Sequence, residues 1–107
     1  MSLNQLTTEY LDAQANESRA FQAIEGAGTG EQWDAYFDAQ DETFIALEVM
    51  LWKTGDIALS MTNDEDTRNN ITSLFHAAIH RGGVARKIAI EKALELARLD
   101  WGEKLQK

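Results

Sequence analysis

The sequence contains no cysteine and no proline, and it is poor in basic residues, with 10 Lys and Arg against 18 Asp and Glu. Without cysteine, neither a disulfide framework nor a Cys-based metal site can form. The formal net charge of −8 argues against extensive binding to nucleic acid or to an anionic membrane, since both require a basic surface. Long apolar runs are also missing: they reach only a few residues, as in 49–52, whereas a helix needs about 20 to cross a bilayer.

The remaining composition is that of a single folded domain. Hydrophobic residues make up 44% of the 107 positions, and a domain of this size buries enough surface to form a core without cross-links. The first residues, Met1–Gln5, show no charged segment followed by an apolar one, so the sequence gives no sign of a secretory signal. We therefore expect one helical domain over residues 1–107 and a cytoplasmic location.

Apolar residues recur every three or four positions through most of the chain, a spacing that favours helix over strand. The first predicted helix covers about 4–25 and ends at a cluster of glycines. Thr29 or Gly30 is predicted to cap the second helix. That helix either continues to Met61 or breaks at 54–56, because one internal glycine costs only about 1 kcal/mol relative to alanine.

The third predicted helix covers about 64–80, since Asn63 followed by three carboxylates is typical of a helix start. The fourth covers about 84–104. The predicted core positions are Leu3, Leu6, Tyr10, Ala13, Ala20 and Ile24; Trp33, Phe37, Phe44, Leu47 and Leu51; Ile71, Leu74, Phe75, Ala78 and Ile79; and Ile88, Ile90, Leu94, Ala97, Trp101 and Leu105. Short connections between long helices favour antiparallel neighbours, so the predicted fold is all-α, an antiparallel four-helix bundle with a possible long second helix.

The charge is unevenly distributed along the chain. Residues 1–67 hold two basic and fourteen acidic side chains, whereas residues 68–107 hold eight basic and four acidic ones. The acidic half can pack beside the basic half, attract a second copy, or face a basic partner. Helices of about 20 to 30 residues are also long for one small core, so a homodimer or higher homo-oligomer is expected.

Five carboxylates of the second helix form the densest charged feature of the sequence, and we call them the acidic strip: Glu31, Asp34, Asp38, Asp41 and Glu42. Like charges at this spacing destabilise a helix slightly, so something must offset them. The strip is either a solvated face partly neutralised by Arg and Lys of the last two helices, or a docking surface for a basic protein, or a divalent-metal site. Tyr36 and Trp52 each adjoin a core position, so their rings are candidates for partner contact.

The metal alternative has a family parallel. The pairs Glu9-x-x-Asp12 and Glu31-x-x-Asp34 resemble the paired carboxylates with which all-helical nucleotide pyrophosphohydrolases of the MazG type hold magnesium. The resemblance implies a Mg²⁺ cofactor and release of pyrophosphate. The family's Glu-x-x-Glu pair does not occur in this chain.

Two further groups of residues are weaker candidates. His76 and His80 lie one helical turn apart, as in zinc-binding pairs, but no third histidine or cysteine exists to complete a site. Arg81, Arg86 and Lys87 surround two glycines at a helix start, which is typical either of an anion site or of an ordinary helical hairpin.

No nucleophile and base are recognisable as a pair, so an enzyme is less expected than a binding protein. The sequence as a whole predicts a small acidic protein-binding or regulatory module, comparable in role to adaptors, immunity proteins or inhibitors. The alternative is the magnesium-dependent pyrophosphohydrolase.

Overall fold

The computed structural model describes the backbone of residues 2–106 and the side chains of residues 2–98. Four helices make up this part of the chain, without any strand: α1 (Leu3–Gln22), α2 (Gly30–Ser60), α3 (Glu65–His80) and α4 (Gly83–Gln106). They pack as the predicted antiparallel four-helix bundle, with α2 between α1 and α3, and α4 against all three. The alternative of a break at 54–56 is wrong, because α2 runs continuously through Gly55. The side chains of Trp101 and Leu105, predicted for the core, lie outside the described residues.

Polar side chains define the helix starts. Ser2 and Thr29 each form a capping box with a glutamine three residues later, so the predicted cap at Thr29 is confirmed. The predicted cap of the third helix is wrong by one residue, since Asp64, not Asn63, accepts the backbone N–H of Thr67. That bond and a second one from the Thr67 hydroxyl lower the pKa of the Asp64 carboxyl, because both favour the charged form.

The first helix ends at Gln22, three residues earlier than predicted. Between α1 and α2 the chain turns through Gly26 and Gly28, both with positive φ. A side chain at Gly28 would also collide with Trp33, because its Cβ would lie 2.7 Å from the indole nitrogen of Trp33. The indole N–H donates to the Ala27 carbonyl at 2.8 Å, so the ring closes over the turn.

The core is confined to one part of the molecule. The buried residues of α1 lie in its first half and those of α2 in its second half, between Leu47 and Ala58. Buried hydrophobic side chains are Leu3, Leu6, Tyr10, Leu47, Met50, Leu51, Ala58, Phe75, Ala78, Ile79, Ala89, Ala93, Leu96 and Ala97. The prediction that Phe37 and Phe44 belong to the core is wrong, because Phe37 is 50% exposed and Phe44 is 42% exposed.

The predicted face of α4 is also partly wrong. Ile88 is exposed, and the residues that enter the core are Ala89, Ala93, Leu96 and Ala97. Three of these are alanines four residues apart, which allows the α4 backbone to approach the other helices closely. In the sequence, these alanines indicate a buried helix face less strongly than the larger isoleucines next to them, which is why the predicted face was partly wrong.

Helix length explains where the core ends. At 1.5 Å per residue, the 31-residue α2 is about 46 Å long and the 16-residue α3 about 24 Å. Consequently α3 and α4 accompany only the second half of α2, and its first half is paired with α1 alone. We call this two-helix part, residues 13–22 and 30–43, the arm.

Two neighbouring residues of α2 test this arrangement. Leu51 is fully buried, whereas Val49 is 46% exposed. We expect Leu51→Ala to lower the free energy of unfolding by about 2–5 kcal/mol through the lost contacts and the cavity left behind. Val49→Ala serves as the control and should change it by only about 0.5 kcal/mol. Guanidinium-induced unfolding followed by circular dichroism measures both, and equal losses would contradict the assigned faces.

Candidate functional site

The acidic strip lies on the solvent side of α2. All five of its carboxylates are exposed. Within residues 2–98 the one ion pair is Lys92–Glu95 at 3.9 Å, so no cation among these residues pairs directly with the strip. The strip is therefore a solvated acidic face without direct neutralisation from the described part of the chain.

Two of the arginines instead hold helix ends. The Arg68 guanidinium donates to the carbonyls of Leu59 and Thr62, the latter at 3.0 Å, at the end of α2. The Arg86 guanidinium donates to the carbonyls of Ala78 and Ile79, at 2.9 and 3.2 Å, at the end of α3. Helix C-termini attract cations because their last carbonyls lack intrahelical partners.

The acidic strip continues into an apolar surface along the same side of α2. Steps of three and four residues from Asp34 lead to a single line of exposed side chains, which we call the outer stripe: Asp34, Asp38, Asp41, Ile45, Val49, Trp52 and Asp56. Its three central side chains are 61%, 46% and 59% exposed. The outer stripe is thus acidic at both ends and apolar in the middle.

Sequence reasoning identified Trp52 but missed Ile45 and Val49. The predicted core position Leu51 is confirmed, since it is fully buried, and the adjoining Trp52 is exposed. Ile45, Val49 and Trp52 are four and three residues apart, a spacing that indicates a second apolar line on α2. This line is hard to recognise in the sequence because the predicted core positions Phe44 and Leu51 are adjacent to it.

An apolar cleft of about 100 Å³ opens beside Trp52, between α2 and α3. Its lining includes Gly55, Leu59, Phe75 and His76. A Cβ at Gly55 would lie 3.4 Å from the Phe75 ring, so glycine allows α2 and α3 to approach closely here. At this cleft the outer stripe borders α3 with an apolar recess.

Tyr36, the other aromatic candidate, lies in the arm. Its ring centroid is 5.3 Å from that of Phe21, 6.1 Å from Trp33 and 5.7 Å from Phe37. Tyr36 is half-buried in this cluster, while about half of the Phe21 and Phe37 side chains is exposed. The arm therefore presents an aromatic side that is distinct from the outer stripe.

The two carboxylate pairs of the MazG-type resemblance are not brought together. Glu31 and Asp34 lie where α2 begins, beside the end of α1, whereas Glu9 is 13 residues before that end. The pairs are thus about 20 Å apart along the helix axis. Among the described side chains, no group of three or more Asp, Glu or His is close enough to hold a metal ion.

The two histidines are neighbours. The ring centroids of His76 and His80 lie 4.5 Å apart, and both side chains are exposed on α3. They provide two nitrogen ligands, and no third His, Asp or Glu of the described chain joins them.

The candidate anion residues do not act as one group. Arg81 and Lys87 are exposed, but the Arg86 guanidinium is engaged with the end of α3 and lies 5.6 Å from the centre of the Phe44 ring. A side chain at Gly82, where φ is +78°, would lie 3.3 Å from that guanidinium. This geometry is that of a helical hairpin whose first helix is capped by an arginine of the second.

A polar cleft of about 460 Å³ lies where the arm joins the bundle, and no pattern in the sequence indicated it. Its lining includes Tyr10, Glu17, Asp41, Phe44 and Arg86. Burial raises the pKa of the Tyr10 hydroxyl, the Glu17 carboxylate raises it further, and the Arg86 guanidinium partly opposes both.

Comparisons with known proteins add no family. No model of a protein family matches the sequence, and neither a curated protein nor a solved structure matches it. Within the described residues, none of the helices combines the length and the apolar character that crossing a membrane would require.

Proposed function

We propose that this chain is a non-enzymatic binding module that recognises a basic protein surface through the acidic strip of α2. The observation that carries the proposal is the exposure of all five carboxylates without a direct cation partner among the described residues. Repulsion within the strip is relieved when a basic surface binds, and such complementary charge also accelerates association.

The distribution of the arginines supports the same proposal. Arg68 and Arg86 hold the ends of α2 and α3, so these cations are committed to the fold. The acidic strip itself faces solvent, where it is accessible to another molecule. The magnesium-dependent pyrophosphohydrolase receives no comparable support, because its two carboxylate pairs lie on distant parts of the hairpin.

Charge reversal tests the proposal. We expect the triple variant Asp34→Lys, Asp38→Lys and Asp41→Lys to capture its partner from a lysate of the source cells at least about tenfold less than the unmodified chain does, a difference of about 1.4 kcal/mol. Capture by the unmodified chain should also fall steeply as salt rises from about 0.05 M to about 0.5 M, because screening weakens exposed charge pairs.

The matched control carries Glu9→Lys, Asp12→Lys and Glu25→Lys. These residues are exposed, and both triple variants have a formal net charge of −2 instead of −8. A general effect of net charge would weaken both variants alike, whereas the proposal requires the loss only in the α2 variant. Equal capture by both variants and the unmodified chain would refute it.

The homodimer predicted from helix length and the predicted cytoplasmic location both remain part of this proposal. A second copy would pack on the aromatic side of the arm, since Phe21 and Phe37 extend beyond the helices that cover the bundle core. Sedimentation equilibrium should then show a dimer that Phe21→Ser with Phe37→Ser dissociates. A monomer at all micromolar concentrations would contradict this part.

A further inference from the structure

The outer stripe of α2 combines an apolar centre with acidic ends, and that combination defines a kind of partner. We infer that it binds a basic amphipathic helix of another protein. The apolar face of that helix lies on Ile45, Val49 and Trp52, and its Lys or Arg residues face the aspartates at either end. The inference rests on the proposed function and names the partner's secondary structure and its apolar contacts.

The centre of the stripe is a continuous apolar surface. Ile45, Val49 and Trp52 follow one another at steps of four and three residues, which places them in one line about 10 Å long. All three are exposed, and Ile45 and Trp52 are among the most exposed large apolar side chains of the described chain. Single exposed apolar residues are ordinary on protein surfaces, but a contiguous group with a polar rim is typical of a binding surface.

The cleft beside Trp52 provides an anchoring point. Its volume of about 100 Å³ is smaller than the cavity of about 150 Å³ that holds benzene in another protein. It therefore fits one aliphatic side chain. Protein interfaces gain much of their affinity from a few such side chains inserted into apolar recesses near an aromatic ring.

The charges select the occupant. Asp34, Asp38 and Asp41 precede the apolar centre and Asp56 follows it, and all four are exposed. A second copy that laid its own stripe on this one would bring aspartate against aspartate at both ends. An anionic membrane or a nucleic acid would be repelled for the same reason, whereas a helix with basic ends matches both the apolar and the charged parts.

The length of the stripe sets the length of the partner. Asp41 and Asp56 are 15 residues apart, which is about 22 Å along the helix. A helix of about four turns is needed to cover the apolar centre and to reach carboxylates at both ends. Its apolar residues must repeat at three and four positions to lie along the stripe.

Three synthetic peptides of about 18 residues test the inference, with binding measured by fluorescence anisotropy of a label on the peptide. The first has leucines at helical spacing and lysines at both ends and on its polar face. The second replaces every lysine by glutamate. The third has the composition of the first, but its leucines no longer share a helix face.

We expect the first peptide to bind at micromolar concentration, with at least about tenfold weaker binding of the other two. The variant Ile45→Ser with Val49→Ser should weaken binding of the first peptide at least about tenfold. A matched control, Leu11→Ser with Val84→Ser, changes two exposed apolar side chains elsewhere and should leave it unchanged. Circular dichroism of each variant verifies that the helices are intact.

Failure of the inference is distinguishable from failure of the proposed function. If the first peptide does not bind, binds no better than the third, or binds the Ile45 and Val49 variant equally well, the inference is overturned. The acidic strip would still be the binding surface if capture from the lysate depended on Asp34, Asp38 and Asp41. Capture that is insensitive to those aspartates would overturn the proposed function itself.

Discussion

The unequal lengths of α2 and α3 determine the rest of this structure. A helix of 31 residues cannot be covered along its length by one of 16, so the four-helix core occupies only one end of α2. The other end depends on α1 alone and on the aromatic rings packed along that hairpin. An amphipathic helix is stabilised mainly by burial of its apolar face, so the two halves of α2 are stabilised unequally.

The same constraint separates two kinds of surface. On the inner side of α2, Leu47, Met50 and Leu51 enter the core, and the line continues outward to the half-exposed rings of the arm. On the outer side, the helix faces solvent from the acidic strip to Asp56. The acidic side chains there are exposed, while the guanidinium groups of Arg68 and Arg86 donate to backbone carbonyls at the ends of α2 and α3. Fold stability and the proposed binding thus use different sides of one helix.

The helices, their order and most of their ends were predictable from the sequence, because the signals are local: the capping residue Thr29, the run of polar and acidic residues before α3, glycines in the turns, and apolar spacing. The extent of the core was not predictable. Phe37 and Phe44 continue the spacing of Leu47 and Leu51, and only the short α3 leaves them uncovered. The core face of α4 was predicted only in part: Ala97 is buried as expected and Ile90 packs against the core, but Ile88 is exposed and Ala89 and Ala93 take the buried positions. The residues of the acidic strip were evident from the sequence. That Ile45 and Val49 lie on the same side of α2 as the strip, and are exposed, became clear only from the orientation of α2 in the bundle.

Chemical-shift mapping shows directly whether the outer stripe is the binding surface. The isotope-labelled chain is titrated with the basic amphipathic peptide, and the backbone amide shifts are assigned by residue. We expect shifts concentrated in residues 41–56 of α2 and around 72–76 of α3, where the cleft lies. Shifts concentrated at Phe21 and Phe37, or spread evenly over all four helices, would contradict it.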